Sequence, residues 1–449
     1  MNSKYAVAVL AVAATLVIGS RAADPVPPSL PGHAVYRQHV EDPVLKKLED
    51  EDTKKAEAAE KATSKIVDAM KAKKKKEKEE KKDLRINLKD LVRPHAPTDF
   101  KLQEWHFPPV PQYLTGTCWA FSTTSFFESE VKRITGQEIK LSEMWTVYHE
   151  YLEKAIGYIE SRGNTPFSQG SESEGLTAIW KKYGVVPEEA YRGVLSKEGL
   201  YDHDPMVEEM RAYLHYCKAH NYWNEEQILG TLKLIMNRTM GAPPEMVTWK
   251  GEQYTPKRFL KEVLKLNMDD YVSFVSTESM PWWRQGEYKV EDNWRHISTY
   301  YNVPLDAWYN ALLKAVKAGS SIAIGGDVSE PGYDGLNKVA VVAKFDLPQN
   351  SIDQDSREIR IYEDATTDDH GIHLVGWKRI GDHDWFLIKD SARASRKAAP
   401  KGYMFYRDDY VKLKMLSYMV HKDFVKELLE RCAKEEAASK TVAKEAAGG

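Results

Sequence analysis

A cysteine becomes a nucleophile when its thiolate is stabilised and a base stands beside it, and one cysteine of this chain is placed for both. The run Gln112-Tyr-Leu-Thr-Gly116-Thr-Cys118-Trp119-Ala-Phe-Ser122 precedes an amphipathic segment. In that segment Phe127, Val131 and Ile134 share one face and Gly136 offers a stop. Cys118 therefore falls where a turn enters a helix. At a helix start the unpaired N–H groups and the positive dipole end favour a thiolate, and the same groups can hold the oxyanion that forms when a carbonyl is attacked. Gln112, six residues upstream, carries an amide able to act as a second donor.

The base must come from elsewhere. Far downstream lies Asp368-Asp-His370-Gly-Ile-His373-Leu-Val-Gly376-Trp377, then Gly381-Asp-His-Asp384, then Trp385-Phe-Leu-Ile-Lys-Asp390-Ser391. Both flanks are rich in β-branched and aromatic residues, and the middle is polar, so the stretch predicts a hairpin. A hairpin brings His370 and Asp390 onto neighbouring strands. Asp390 then accepts a proton from one imidazole nitrogen while the other faces Cys118, which is the geometry of nucleophilic acyl transfer.

Other constellations are weaker. Asp368, Asp369, His370 and His373 are suitable metal donors, but on a strand 368 and 370 point opposite to 369 and 373, so no metal and no cofactor is expected. Cys217 and Cys432 read as small buried hydrophobes, because three cysteines are poor material for a disulfide framework. Trp282, Trp283 and Trp294 are expected in packing rather than in a cleft.

The elements that position these residues sit inside a chain with unusual ends. Residues 1–22 combine Lys4, an apolar run from Tyr5 to Gly19 and a small-residue close at Ser20-Arg-Ala22, the pattern of a cleaved secretory signal. The apolar run is shorter than the ~20 residues a membrane span needs, so the mature chain is expected to be exported, periplasmic or extracellular, without a stable membrane anchor. Residues 23–87 form a Lys/Glu-rich arm or linker, and 433–449 read as a disordered tail rich in Ala, Lys and Glu. Between them, 88–432 hold the folded body. With 449 residues, 42% of them hydrophobic, the chain can bury a large core. A net charge of −3 gives no sign of a nucleic-acid partner.

The ordered set of Gln112, Cys118-Trp119, His370 with Val375-Gly376, and Leu387-Ile-Lys-Asp390-Ser391 resembles the papain family of cysteine peptidases. Phe167-Ser-Gln-Gly170-Ser171 is similar to the family stretch whose glycines pair with the substrate backbone, with Ser171 in place of the second glycine. Ile322-Ala-Ile-Gly325-Gly326-Asp327, the long spacing from Cys118 to His370 and the scarcity of cysteine are similar to the bleomycin hydrolase and aminopeptidase C branch. The resemblance implies an α+β, papain-like two-domain fold. A helical domain of about 112–195 would carry the nucleophile. An antiparallel β-barrel-like domain of about 301–425 would carry the base, and a large helical insertion of about 196–300 would lie between them.

It further implies catalysis by Cys118, His370, Asp390 and Gln112 on a peptide or protein substrate, with Gly170, Ser171, Trp119 and Asp327 at the substrate. The branch also implies aminopeptidase trimming, a C-terminal arm in the cleft and a homo-oligomeric ring, although no residue of this tail matches that arm. Two departures matter. Asp390 replaces the family's asparagine, and Ser391-Ala-Arg-Ala replaces the Ser-Trp-Gly that shields the histidine's partner from water. Two rival readings stay open beside the peptidase: a catalytically silent, peptide-binding scaffold, and a transglutaminase-like acyltransferase, which shares Cys-His-Asp chemistry.

Overall fold

The computed structural model describes residues 31–32, 34 and 36–448, in two compact units that part between Lys82 and Asp83. The signal-like leader lies outside the described residues.

In the first unit, Pro43 at the first helical position and Asp42 as N-cap open the helix α1, Pro43–Glu80. The Asp42 carboxylate accepts from Val44 N at 2.7 Å and Leu45 N at 3.2 Å, supplying partners for N–H groups that a helix start leaves unpaired. No side chain of α1 is buried. Its i,i+4 pairs, among them Lys73–Glu77 at 3.8 Å, are exposed and add only a few tenths of a kcal/mol each. The expected arm is thus a single solvated helix, but it ends sooner than composition suggests. Ile86 and Leu88 already pack against the apolar cluster that includes Phe100 and Trp385, so 83–87 belongs to the folded body.

The second unit begins with an extended approach and the short strand β1, Leu102–Gln103, and then α2, Cys118–Thr135. Phe126, Phe127 and Val131 of α2 are fully buried, and Gly136 closes the helix at φ +70°, a conformation glycine adopts without steric cost. Ile134, expected on the buried face, is 40% exposed because the last turn of α2 runs past the core. Two helices pack beside it, α3 (Glu143–Glu160) and α4 (Ser173–Tyr183). The insertion adds α5 (Asp204–Ala219) and α6 (Glu225–Met240), whose Leu214, Cys217, Ile228, Leu232 and Met236 join the same apolar core. A small hairpin, β2 (Val247–Trp249) with β3 (Glu252–Tyr254), leads to the single-turn α7, Pro256–Arg258.

From here the chain builds one 11-stranded sheet. Its strands are β1, β4 (Tyr271–Val275), β5 (Arg284–Gly286), β6 (Tyr300–Asn302), β7 (Ile322–Gly326), β8 (Tyr333–Asp334), β9 (Val339–Ala340), β10 (His370–Ile380), β11 (His383–Lys389), β12 (Tyr403–Arg407) and β13 (Met415–His421). The order along the sheet is β5-β6-β4-β13-β7-β10-β11-β12-β9-β8, with β1 beside β10. The pairs are antiparallel except β4 with β6 and β12 with β9. The boundary expected at residue 300 therefore moves: β4 already lies in the sheet, paired with β13. The β-branched and aromatic run Tyr271-Val-Ser-Phe-Val275 carries that signal in the sequence.

Four helices complete the body: α8 (Leu305–Lys317), α9 (Gln354–Tyr362), α10 (Asp408–Lys414) and α11 (Lys426–Gly448). The last corrects the expectation of a disordered tail. Ala, Lys and Glu are strong helix formers, and the helix is seeded by Leu428 and Cys432, which pack into the core of the β part.

Candidate active site

The site forms where α2 meets β10. Their contact is close: a Cβ added to Gly371 would lie 2.9 Å from Ser122 Oγ and 3.3 Å from Trp119 Cα. Only glycine lets the strand carrying His370 approach the helix carrying Cys118 to this distance. Cys118 is the first residue of α2, so its own N–H and that of Trp119 lie in the turn where no intrahelical acceptor exists.

His370 stands between two partners. Its Nε2 is 2.8 Å from Asp390 Oδ1, which leaves Nδ1 for Cys118, a residue that lines the same cleft. Burial by itself would push the imidazole down. The charges of Asp390 and Cys118 outweigh it and hold His370 well above its ordinary value of 6.5. Asp390 shows the mirror image, in which burial pushes the carboxyl up and His370 together with its other donors brings it below the usual carboxylate range. The arrangement favours an imidazolium.

Asp390 is shielded despite the missing Ser-Trp-Gly segment. Its side chain is wholly buried, and besides His370 it accepts from Ala392 N at 2.7 Å and Tyr333 Oη at 3.3 Å. Tyr333 on β8 thus stands over Asp390 where the family's Ser-Trp-Gly is missing. Lys338, also buried, donates to Ser395 O, and burial pushes it down to about 8 against the pull of Asp390.

Gln112 is tied to the same corner. Ser391 Oγ donates to its Oε1 at 2.6 Å, and its backbone N–H donates to Ser391 O at 3.1 Å, so the loop before Cys118 is latched to the end of β11. One hydrogen of its amide goes to Thr115 O at 2.8 Å, and a carboxamide nitrogen carries two.

The expected substrate contacts divide. Ser171 lines the cleft with Cys118 and His370, and Gly170 O accepts from Lys154 Nζ. Trp119 also borders the cleft, but it is 2% exposed and its Nε1 donates to Gln169 O at 3.0 Å, so it fixes the loop before Gly170 instead of offering a face. Asp327 is a correction. Its carboxylate is buried and accepts from Ser329 N at 2.7 Å and Thr367 N at 3.0 Å, clamping the loop after β7, and it is not among the residues that line the cleft. Trp294 packs against Gly157 of α3 and donates to Glu150 Oε1 at 2.7 Å, a packing role. His373 turns into α2, with Nδ1 2.8 Å from Ser125 Oγ, and shares no partner with His370.

Sequence reasoning missed Tyr333 and two acids that line the cleft, Glu172 and Asp292. Glu172 sits one residue past Ser171 and was within reach of a reading by proximity, whereas Asp292 and Tyr333 had no local signal.

The profile of the Peptidase C1-like family matches residues 46–442 of the chain. Among individual proteins, the chain is similar to aminopeptidase C of Streptococcus thermophilus, 23% identical over 362 residues that span 70% of this chain and 80% of that one. Aminopeptidase C of Lactococcus lactis subsp. cremoris is 21% identical over 367 residues, 73% of this chain and 84% of the relative. Human bleomycin hydrolase is 22% identical over 268 residues, 50% and 59% respectively. Among solved structures, that of PepW from Lactobacillus rhamnosis HN001 superposes with a TM-score of 0.60 at 17% identity, covering 76% of this chain and 86% of that one, a likeness of fold.

Proposed function

Because the chain belongs to the Peptidase C1-like family, in its bleomycin hydrolase and aminopeptidase C branch, it is a cysteine-type peptidase, and we propose that Cys118, His370, Asp390 and Gln112 carry its reaction. One observation carries this reading. His370 commits Nε2 to a buried carboxylate at 2.8 Å, which leaves its other nitrogen available in the cleft it shares with Cys118 at the head of α2.

In this mechanism the Cys118 thiolate attacks the carbonyl carbon of a peptide bond, forming the S–C bond and placing negative charge on the carbonyl oxygen. The Cys118 N–H and the second hydrogen of Gln112 Nε2 receive that oxyanion. The imidazolium of His370 gives its Nδ1 proton to the departing amine, and the C–N bond breaks. Water then attacks the thioester while His370 takes its proton, and the acyl group leaves as a carboxylic acid. Asp390 keeps Nε2–H directed and supports the positive ring through both halves of the cycle. A carboxylate here, in place of the family's asparagine, strengthens the ion pair and extends the range over which the ring stays protonated.

The test uses the chain without residues 1–22, a thiol-reactive epoxide and a panel of peptides. The expected result is labelling at Cys118 and hydrolysis, both lost in Cys118→Ala. A native protein that neither labels at Cys118 nor cleaves any peptide between pH 4 and 9 would sink the proposal. Joining of amines to glutamine in place of hydrolysis would replace it with acyl transfer.

A further inference from the structure

Where the family has Ser-Trp-Gly, this chain runs Ser391-Ala-Arg393-Ala-Ser-Arg-Lys397. The backbone of that loop is fixed to the catalytic residues. Ser391 is latched to Gln112, and Ala392 N donates to Asp390 Oδ1 at 2.7 Å. Ser395 Oγ donates to Ala392 O at 2.8 Å, and Ser395 O accepts from Lys338 Nζ and from Gly402 N. On this rigid support the side chains of Arg393 and Lys397 are exposed, and neither has a hydrogen bond or an ion pair among the described residues. Lys397 and Ala394 form one lip of a groove of about 300 Å³, with Val328, Ser329 and Leu336 on the other. The second lip is also tied to the catalytic histidine's surroundings. Val328 N donates to Asp369 Oδ1 at 3.0 Å, Ser329 Oγ donates to Asp369 Oδ2, and Tyr333 Oη donates to Asp390.

The groove therefore adjoins the group that protonates the departing amine, and the chain beyond the scissile bond leaves on this flank. The acids within the groove are already used. Asp83 pairs with Arg85 at 3.2 Å, and Asp334 accepts from Leu336 N at 2.9 Å, Asn337 N at 3.1 Å and Asn337 Nδ2 at 2.7 Å. The opposite wall of the cleft, with Glu172, Asp292 and Asp368, has the reverse character. Burial first, and then the charges of Asp368, Asp292 and Cys118, push Glu172 well above its ordinary value. Burial likewise lifts Asp368 to about 7 and raises Asp292. Carboxylates crowd one wall and free cations stand on the other, so a negative group of the substrate is repelled from the first and drawn to the second.

Resting on the peptidase reading, we propose that Arg393 and Lys397 bind a carboxylate of the substrate on the leaving side of the scissile bond, carried by an acidic side chain or by the C-terminus of a short peptide. The guanidinium fork suits two-point binding of a carboxylate, and the ammonium adds a second point charge beside it. Their donors are free for this because no acceptor in the protein holds them. The pinned backbone from Ala392 to Ser395 limits how far the loop can move when a carboxylate arrives, so little ordering is needed on binding.

The experiment uses the full chain and peptides that are identical up to the scissile bond. In one arm the peptides are C-terminally amidated and carry Glu, Gln or Lys at each of the three positions beyond the bond. In the other those positions are neutral and the C-terminus is free or amidated. In at least one arm the peptide with the carboxylate should be cleaved with a kcat/KM at least about fivefold above its neutral counterpart at low salt, falling below about twofold at high salt as exposed charges are screened. Arg393→Glu combined with Lys397→Glu should invert that ratio, which a loss of folded protein cannot do because a ratio is independent of the amount of active enzyme. Selectivity in the first arm assigns the carboxylate to a side chain, and selectivity in the second alone assigns it to the terminus. A ratio near one in both arms, or one that the double variant leaves unaltered, overturns the inference and leaves the peptidase reading standing. Should the native chain cleave none of the peptides and fail to label at Cys118, the peptidase reading falls and takes this one with it.

Discussion

Removing the Asp390 carboxylate should cost stability in a pH-dependent way that the structure dictates. The side chain is wholly buried, His370 is 6% exposed, and their contact is 2.8 Å. Asp390→Ala leaves a buried imidazole without its acceptor and strands the donors of Ala392 N and Tyr333 Oη. Breaking one partner of a buried pair costs about 3–5 kcal/mol. Asp390→Asn keeps an oxygen for His370 and Ala392 but loses the charge. Hydrogen bonds to charged groups contribute about 1.5–3 kcal/mol against about 0.5–1.5 for neutral ones, so the loss should be about 1–2 kcal/mol.

The sign with pH follows from both partners. His370 is raised in the folded state, so its contribution is complete below 6.5 and disappears as pH climbs through its elevated value. Asp390 is depressed, so its contribution is present above 3.8 and is lost as pH falls through the lowered value. The gap between native and Asp390→Asn should be largest and flat between 3.8 and 6.5 and should narrow in alkali. Urea unfolding at pH 6 and at pH 10 measures it, with midpoints compared at equal m. An Asp390→Ala protein within 1 kcal/mol of native at pH 6, or a gap that widens with pH, would refute the buried ion pair as the support of His370.

Further outcomes are expected. Gly371→Ala places a methyl 2.9 Å from Ser122 Oγ, which should push β10 off α2, cost about 1–3 kcal/mol and lower kcat more than tenfold in a peptidase assay. Gln112→Ala should lower kcat by about 100- to 1000-fold while epoxide labelling of Cys118 continues, the signature of a lost oxyanion donor. Arg357 is fully buried and donates to Ser276 O, Lys412 O and Leu416 O at 3.0, 2.7 and 3.3 Å, so Arg357→Met should destabilise by at least about 3 kcal/mol in urea, since three carbonyls lose their donors. Deleting residues 1–82 should leave the urea midpoint of the remainder unchanged, because α1 buries no side chain.

Much of the site was legible in the chain because its signals are local. A helix start announces itself by a turn followed by a 3.6-residue stripe, and that alone puts Cys118 at the head of α2. A hairpin announces itself by two β-rich runs around a polar turn, and that alone pairs the strands of His370 and Asp390, observed from His373 opposite Lys389 to Ile380 opposite His383 with a register shift between Leu374 and Gly376. Gln112 followed because it shares the loop with Cys118. The α+β order of elements came from the family resemblance those motifs carry, and the limits of arm, insertion and tail moved, where composition stood in for packing.

What the tertiary structure decided is everything that depends on which distant segments meet. Asp327 was expected at the substrate from the family resemblance, yet the N–H of Thr367, 40 positions away, draws it into a loop clamp. The cover over Asp390 was sought in the residues that follow it and comes instead from Tyr333, 57 positions earlier. Asp292 reached the wall of the cleft only because the loop between β5 and β6 folds across Gly170. Periodicity and capping act within a few residues, so a single sequence can state which side chains are fit for acyl transfer and on what element each stands. Burial, and with it the charge on His370 and the repulsion among Glu172, Asp292 and Asp368, is created by the closure of the fold.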